Sequence, residues 1–127
     1  MELDHVGVAS ADAAGLAAMF EELFDAPLVH EEEFDGMSVL FLELGGSYFE
    51  LLEPHEEGAI GRYLDEYGPG IHHVAVRTDS VADALDTARE VGVELIDENP
   101  RQGAWGHEVA FLHPKSTGGV LVEFVSH

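Results

Sequence analysis

Two histidines and two glutamates recur at matching places in the two halves of the chain. The run Leu3-Asp4-His5-Val6-Gly7-Val8 returns as Ile71-His72-His73-Val74-Ala75-Val76, and Phe49-Glu50-Leu51-Leu52 returns as Val122-Glu123-Phe124-Val125. Each half thus offers one imidazole and one carboxylate. Together they make a set of nitrogen and oxygen donors of the kind that Zn, Co, Ni or Mn accepts more readily than Ca or Mg. With water completing its shell, an ion held this way keeps open positions for two substrate oxygens and stabilises negative charge developing on them. Proton abstraction beside a carbonyl is the chemistry that suits it. A dioxygenase iron site normally uses two histidines and one carboxylate, so the fourth donor points away from that reaction.

An ionisable side chain in an apolar strand is costly unless it is paired or bound. One such histidine is ordinarily a hydrogen-bonded partner. The same cost met four times in register favours a metal over a His/Glu hydrogen-bond network. His72 competes with His73 by adjacency, but its parity sends it with Val74 to the other face of the strand.

The elements that must position these residues follow from hydrophobic periodicity. Residues 2 to 9 alternate as a strand, with His5 on one face and Val6 and Val8 on the other. Leu16, Met19, Phe20, Leu23 and Phe24 then recur at helical spacing, and Pro27 closes that helix. Strands are predicted over 28 to 34, 38 to 44 and 47 to 53, with the Gly45-Gly46 pair turning the last hairpin. The second half repeats the order. A strand runs over 71 to 78, and a helix opened by Ser80 and Asp83 carries Val81, Ala84, Leu85, Ala88 and Val91 before ending at Gly92. Strands follow near 93 to 97, 107 to 113 and 119 to 126.

Both halves therefore read βαβββ, residues 1–54 and 71–127, joined by an acidic, glycine-rich linker over 55–70 with a short helix around Ile60 to Tyr67. The class is α+β, with two modules docked into one domain because neither half alone can bury a large core. Period-two geometry puts His5, Glu50, His73 and Glu123 on the faces away from the helices, where a cupped, mixed sheet would gather them.

The composition sets outer bounds. A chain of 127 residues with 46% hydrophobic residues is one ordinary globular domain. The absence of cysteine excludes disulfides, thiolate metal sites and cysteine nucleophiles. A formal charge of −21, from 26 acidic against 5 basic residues of which only Lys115 is a lysine, excludes nucleic acid as a partner. Such a surface repels itself in dilute buffer, and molar salt relieves the repulsion because the Debye length falls to about 3 Å at 1 M. Adaptation to a cytoplasm of high ionic strength is the expectation. No signal-peptide pattern precedes the first strand and no apolar run reaches membrane-spanning length, so a cytoplasmic protein without membrane contact is expected.

At these residues the chain resembles the vicinal-oxygen-chelate superfamily (glyoxalase/bleomycin resistance/dioxygenase) and, within it, the methylmalonyl-CoA epimerase family. The resemblance runs over nearly the whole length. It is carried by Leu3-Asp4-His5-Val6, Glu50-Leu51-Leu52-Glu53-Pro54, Gly70-Ile71-His72-His73-Val74, and Phe111-Leu112-His113-Pro114-Lys115 leading through Gly118-Gly119-Val120-Leu121-Val122-Glu123. It implies paired modules around one divalent metal, usually in a homodimer. His5, Glu50, His73 and Glu123 would be ligands, and the carboxylate and thioester oxygens of a CoA thioester would chelate the ion. Loss of the α-proton would give a metal-stabilised enolate, reprotonated on the opposite face, with Glu123 doubling as an acid/base group.

Some members carry glutamine at the position of Glu50; the glutamate adds a negative charge that would shift metal preference and lower the electrophilicity of the ion. The resemblance departs from part of the family at Val39, where some relatives carry a second catalytic glutamate, and Glu43, on the same strand face, is the candidate replacement. Phosphates of CoA call for cations, of which Lys115 is the first choice and Arg101 the second. Trp105 either lines the pocket or anchors its loop. Two other functions share the fold: a glyoxalase I type lyase acting on lactoylglutathione or another thiol adduct, and a non-enzymatic small-molecule-binding protein. The helix after His5 lacks the arginine and aromatic pair of glutathione-using relatives, and the full ligand set disfavours the binding protein.

Overall fold

The computed structural model describes residues 1–127, with eight strands and three helices. The first module is β1 (Glu2–Ala9), α1 (Ala13–Phe24), β2 (Leu28–Phe34), β3 (Met37–Leu44) and β4 (Ser47–Pro54). After α2 (Ala59–Tyr67), the second module is β5 (Gly70–Arg77), α3 (Val81–Glu90), β6 (Arg101–Gln102), β7 (Glu108–Leu112) and β8 (Val122–Ser126). Both therefore have the βαβββ order, with parallel pairing of β1 to β4 and of β5 to β8 and antiparallel pairing elsewhere. The chain divides into two compact units, His5–His72 and Met1–Asp4 with His73–His127, so the first residues of β1 belong with the second module.

In the unit of residues 5–72 the strands lie in the order β2-β3-β4-β1. Ala13, Ala17, Leu40, Leu42 and Leu51 form its core, with Val8, Leu16, Phe20 and Phe49 packed against them. The Asp12 side chain caps α1 by accepting the Gly15 N–H at 3.0 Å, which satisfies one of the donors left over at a helix start. A second donor there, the Ala13 N–H, goes to Glu53 Oε1 at 2.8 Å. The alanines change which face is buried. They let the helix approach the sheet closely, and Met19 and Leu23, expected in the stripe, are left 58% and 65% exposed. Asp25, at φ 55°, ends the helix two residues before Pro27.

In the other unit β5-β8-β7-β6 follow in order, and α3 sets Val81, Leu85 and Ala88 on Ala110 and Leu112. Ser80 caps α3 as its sequence predicts, accepting the Asp83 N–H at 3.1 Å. Val91, expected in the stripe, sits past the last turn and is exposed. The strand expected over 93 to 97 is reduced to a single bridge, Leu95 to Leu112, and the regular pairing to β7 falls to β6 instead. The last strand begins at Val122 rather than 119 because Gly118 and Gly119 both adopt positive φ. Asp4, 1% exposed, accepts from Arg77 Nε at 2.7 Å and from His127 Nε2 at 2.6 Å, which ties both ends of the chain to β5.

No helix is long and apolar enough to cross a membrane.

Candidate metal centre

Strand register decides which side chains share a face. In the unit of residues 5–72, His5 lies opposite Tyr48 and Gly7 opposite Glu50 across the parallel β1–β4 pair, while Phe41 lies opposite Glu50 across β3–β4. Paired residues point to one side of a sheet. His5, Phe41, Tyr48 and Glu50 therefore share the face that does not carry α1, and Val8, Leu40, Leu42 and Leu51 take the other. His5 Nε2 stands 3.4 Å from Glu50 Oε1, and the His5 ring meets Phe41 edge-on at 5.8 Å and 87°.

The second unit builds the same arrangement from its own strands. Ala75 and Phe111 both lie opposite Glu123, on the face away from α3. His73 Nε2 stands 3.9 Å from Glu123 Oε1, and the His73 ring meets Phe111 edge-on at 5.4 Å and 83°. All four polar residues are buried, at 3% for His5, 7% for Glu50, 4% for His73 and 6% for Glu123.

Buried carboxylates carry a large desolvation cost, and an imidazole alone offsets it only when protonated. A divalent cation offsets it outright. Bonds of about 2.1 Å to one ion leave two donors at most about 4.2 Å apart, so each His/Glu spacing can be bridged by an ion. The donor chemistry thus fits a divalent metal with a nitrogen and oxygen preference.

The other residues singled out in the sequence fall in different places. His72 lies on the opposite parity, edge-on to Tyr63 at 5.2 Å. Lys115 is exposed and its Nζ lies 2.8 Å from Glu94 Oε2; that contact holds the Glu94 carboxyl below its ordinary pKa. Arg101 lies 5.6 Å from the ring of Phe111 and pairs with Asp97 at 3.3 Å, so of the two cations it is the one beside a centre residue. Trp105, at φ 62°, stacks on His107 at 5.4 Å. Val39 is fully buried, and Glu43 is exposed opposite Tyr48.

Phe41 is missing from the sequence reading, and Phe111 enters it only inside the motif that leads to Glu123. Their signal is the repeat itself, since Val39-Leu40-Phe41-Leu42 returns as Val109-Ala110-Phe111-Leu112. The loop that follows differs in length between the halves, which hides the correspondence when distances to Glu50 and Glu123 are counted along the chain.

These pairs and the βαβββ order agree with a family match over residues 4–111, and the chain belongs to the Glyoxalase/Bleomycin resistance protein/Dioxygenase superfamily. Within it, its relatives include methylmalonyl-CoA epimerases. The chain is 34% identical over 126 residues to the ethylmalonyl-CoA/methylmalonyl-CoA epimerase of Cereibacter sphaeroides, covering 95% of this chain and 94% of that one. The crystal structure of methylmalonyl-CoA epimerase from Mycobacterium tuberculosis superposes with a TM-score of 0.93 at 35% identity, over 98% of this chain and 87% of that chain. A variant of the Streptomyces coelicolor methylmalonyl-CoA epimerase in complex with 2-nitronate-propionyl-CoA gives a TM-score of 0.93 at 32% identity, over 99% of this chain and 94% of that one.

Proposed function

We propose that this protein is a divalent-metal-dependent methylmalonyl-CoA epimerase, with His5, Glu50, His73 and Glu123 as the ligands of one ion. The observation that supports it best is the buried His/Glu pair set beside a phenylalanine, built twice by strands of the same order, in a chain whose near full-length relatives include an epimerase. The ion, when bound, supplies a Lewis acid that offsets the charge developing on the substrate's carboxylate and thioester oxygens. Everything else falls to the side chains.

Glu123 accepts the α-proton of one epimer, and the electron pair moves into the thioester carbonyl to give an enolate; a proton delivered from the other side inverts the carbon. Phe41 and Phe111 exclude water from the proton-transfer region, which strengthens every charge interaction there. Arg101 beside Phe111 and Lys115 at its exposed turn are the cations offered to the acyl-CoA phosphates. The same reading includes a homodimer in the cytoplasm and a surface suited to high salt.

The test is to load the protein with each candidate metal in molar KCl and incubate it with methylmalonyl-CoA in deuterated water. Interconversion of the epimers with deuterium entering the α-position is expected, and sedimentation should report a dimer. Lack of α-deuterium, together with turnover of a methylglyoxal–thiol adduct, would replace the epimerase reading by the lyase.

A further inference from the structure

We infer that Glu32, oriented by His30, is the second proton-transfer residue, serving the face of the α-carbon opposite to Glu123, an assignment that rests on the epimerase reading above. Inversion at one carbon needs a proton taken on one side and given on the other, so a single carboxylate is insufficient. Groups of suitable chemistry lie on β2 and on β3, and they differ in placement.

Along β2, residues 30, 32 and 34 are half-buried while 31 and 33 are exposed, so His30 and Glu32 point to one face. Register identifies the face. His30 lies opposite Phe41 and Glu32 opposite Val39, while Glu31 lies opposite Leu40 of the core under α1. His30 and Glu32 are therefore on the side that carries His5, Phe41 and Glu50.

Phe41 connects the two groups directly: its ring lies 5.8 Å from His5 and 6.1 Å from His30. Neighbouring strands are about 4.8 Å apart, and the short side chain of Val39 leaves the longer glutamate on the adjacent strand room to extend over it. His30 Nε2 stands 3.1 Å from Glu32 Oε1, close enough to orient the carboxyl.

Their side chains are 26% and 28% exposed, partly desolvated yet open to a ligand, whereas Glu43 on β3 is solvated and has the phenol of Tyr48 opposite it. A His–Glu pair on a strand is ordinarily a surface contact. This one differs by sharing the face of His5, Phe41 and Glu50, while the other two acidic residues of the strand take the opposite face.

The step balances without a further reactant. For one epimer Glu32 takes the α-proton, the C–H electron pair becomes the enolate, and protonated Glu123 delivers its proton to the other side; the second epimer runs the steps in reverse. Glu32 touches the reacting carbon, and His30 is a positioning residue.

The experiment compares wild type, Glu32→Gln and Glu32→Asp as metal-loaded full-length proteins, with folding checked by circular dichroism. Each separate methylmalonyl-CoA epimer is followed for inversion and for α-deuterium uptake. Glu32→Gln is expected to lower inversion roughly 10²–10⁴-fold. It should retain deuterium uptake on only one epimer, through Glu123, with KM little changed. Glu32→Asp should recover uptake on both. His30→Ala should slow the same epimer that Glu32→Gln silences, and added imidazole should restore part of that rate.

Unchanged inversion in Glu32→Gln, or equal loss of uptake on both epimers in a folded variant, would overturn the assignment. If Glu32→Gln does not fold, Glu32→Asp decides: equal slowing of the two epimers refutes the role, and selective slowing of one supports it. Failure of wild type to invert either epimer would remove the epimerase reading itself, an outcome distinct from every one above.

Discussion

At the scale of single residues, the centre is built from burial and register. His5 and His73 each sit against a phenylalanine edge, a contact that orients the imidazole and shields the adjoining carboxylate from water. In the proposed centre, removing one ligand would leave a buried carboxylate without its share of the cation. His73→Ala is expected to lower metal affinity at least about 100-fold, more than the loss of an outer-shell partner does. Isothermal titration with Zn or Co reads this without reference to turnover, and an unchanged affinity would exclude His73 as a ligand.

Glu94 carries a separate expectation, because its carboxyl is held below the ordinary range first by the hydrogen bond from Lys115 and then by the charges of Lys115 and His113. A depressed folded-state pKa adds stability that is present above the unfolded value and is lost as the pH falls through the folded one. NMR titration should find the Glu94 midpoint below 4.5 in wild type and shifted upward in Lys115→Met. Both groups are exposed, so the effect is expected to shrink with added salt.

At the scale of elements, the alternation of β1 and β5 made the face of His5 and His73 legible, and the capping residue Ser80 made the start of α3 legible. Other features depend on partners remote in sequence. Glu53, forty residues from Ala13, completes the start of α1, and Met19 and Leu23 turn outward because Ala13 and Ala17 carry the contact with the sheet. No periodicity records either fact. The region from 93 to 97 has the composition of a strand, yet it makes only a single bridge and the regular pairing to β7 falls to the short β6, a division that local propensity does not record. The face taken by His30 and Glu32 needed the register with Phe41 and Val39, since a run of three glutamates after a histidine reads in sequence as solvated charge.

Asp4 shows the energetic side of the same lesson. Buried beside Arg77 and His127, it depends on hydrogen-bond donors that arrive from β5 and from residue 127. Leaving a buried carboxylate without its arginine costs roughly 3–5 kcal/mol. Arg77→Ala should lower unfolding stability by about the lower end of that range, because the His127 contact survives. Chemical denaturation measures it, and a loss below about 0.5 kcal/mol, as found for surface pairs, would show that the pair does not anchor β1.

At the scale of the whole molecule, 26 acidic side chains against 5 basic ones dominate long-range electrostatics. Four of the five cations are already committed: Arg77 to Glu2 and Asp4, Arg89 to Asp86 and Glu98, Arg101 to Asp97, and Lys115 to Glu94. The remaining carboxylates face one another across water, where repulsion between unit charges extends about 10 Å at 0.1 M salt and about 3 Å at 1 M. Folding concentrates these charges, so the repulsion destabilises the compact state and its relief stabilises it. Added salt also screens these ion pairs, but exposed pairs each contribute only about 0–1 kcal/mol, and the uncompensated acidic charge outweighs them in number.

The melting temperature should therefore rise between dilute buffer and molar KCl. Because the term is electrostatic, NaCl and KCl at equal ionic strength should give the same rise. A temperature that stays level or falls would show that the acidic surface serves solubility alone. The same screening bears on catalysis: a CoA thioester brings further negative charge toward an anionic protein, so KM for the substrate should fall as salt is raised, until screening of contacts to Arg101 and Lys115 reverses the trend. Steady-state kinetics across a KCl series tests this, with a minimum in KM at intermediate salt as the expected outcome and a monotonic rise from the lowest salt as the contrary one.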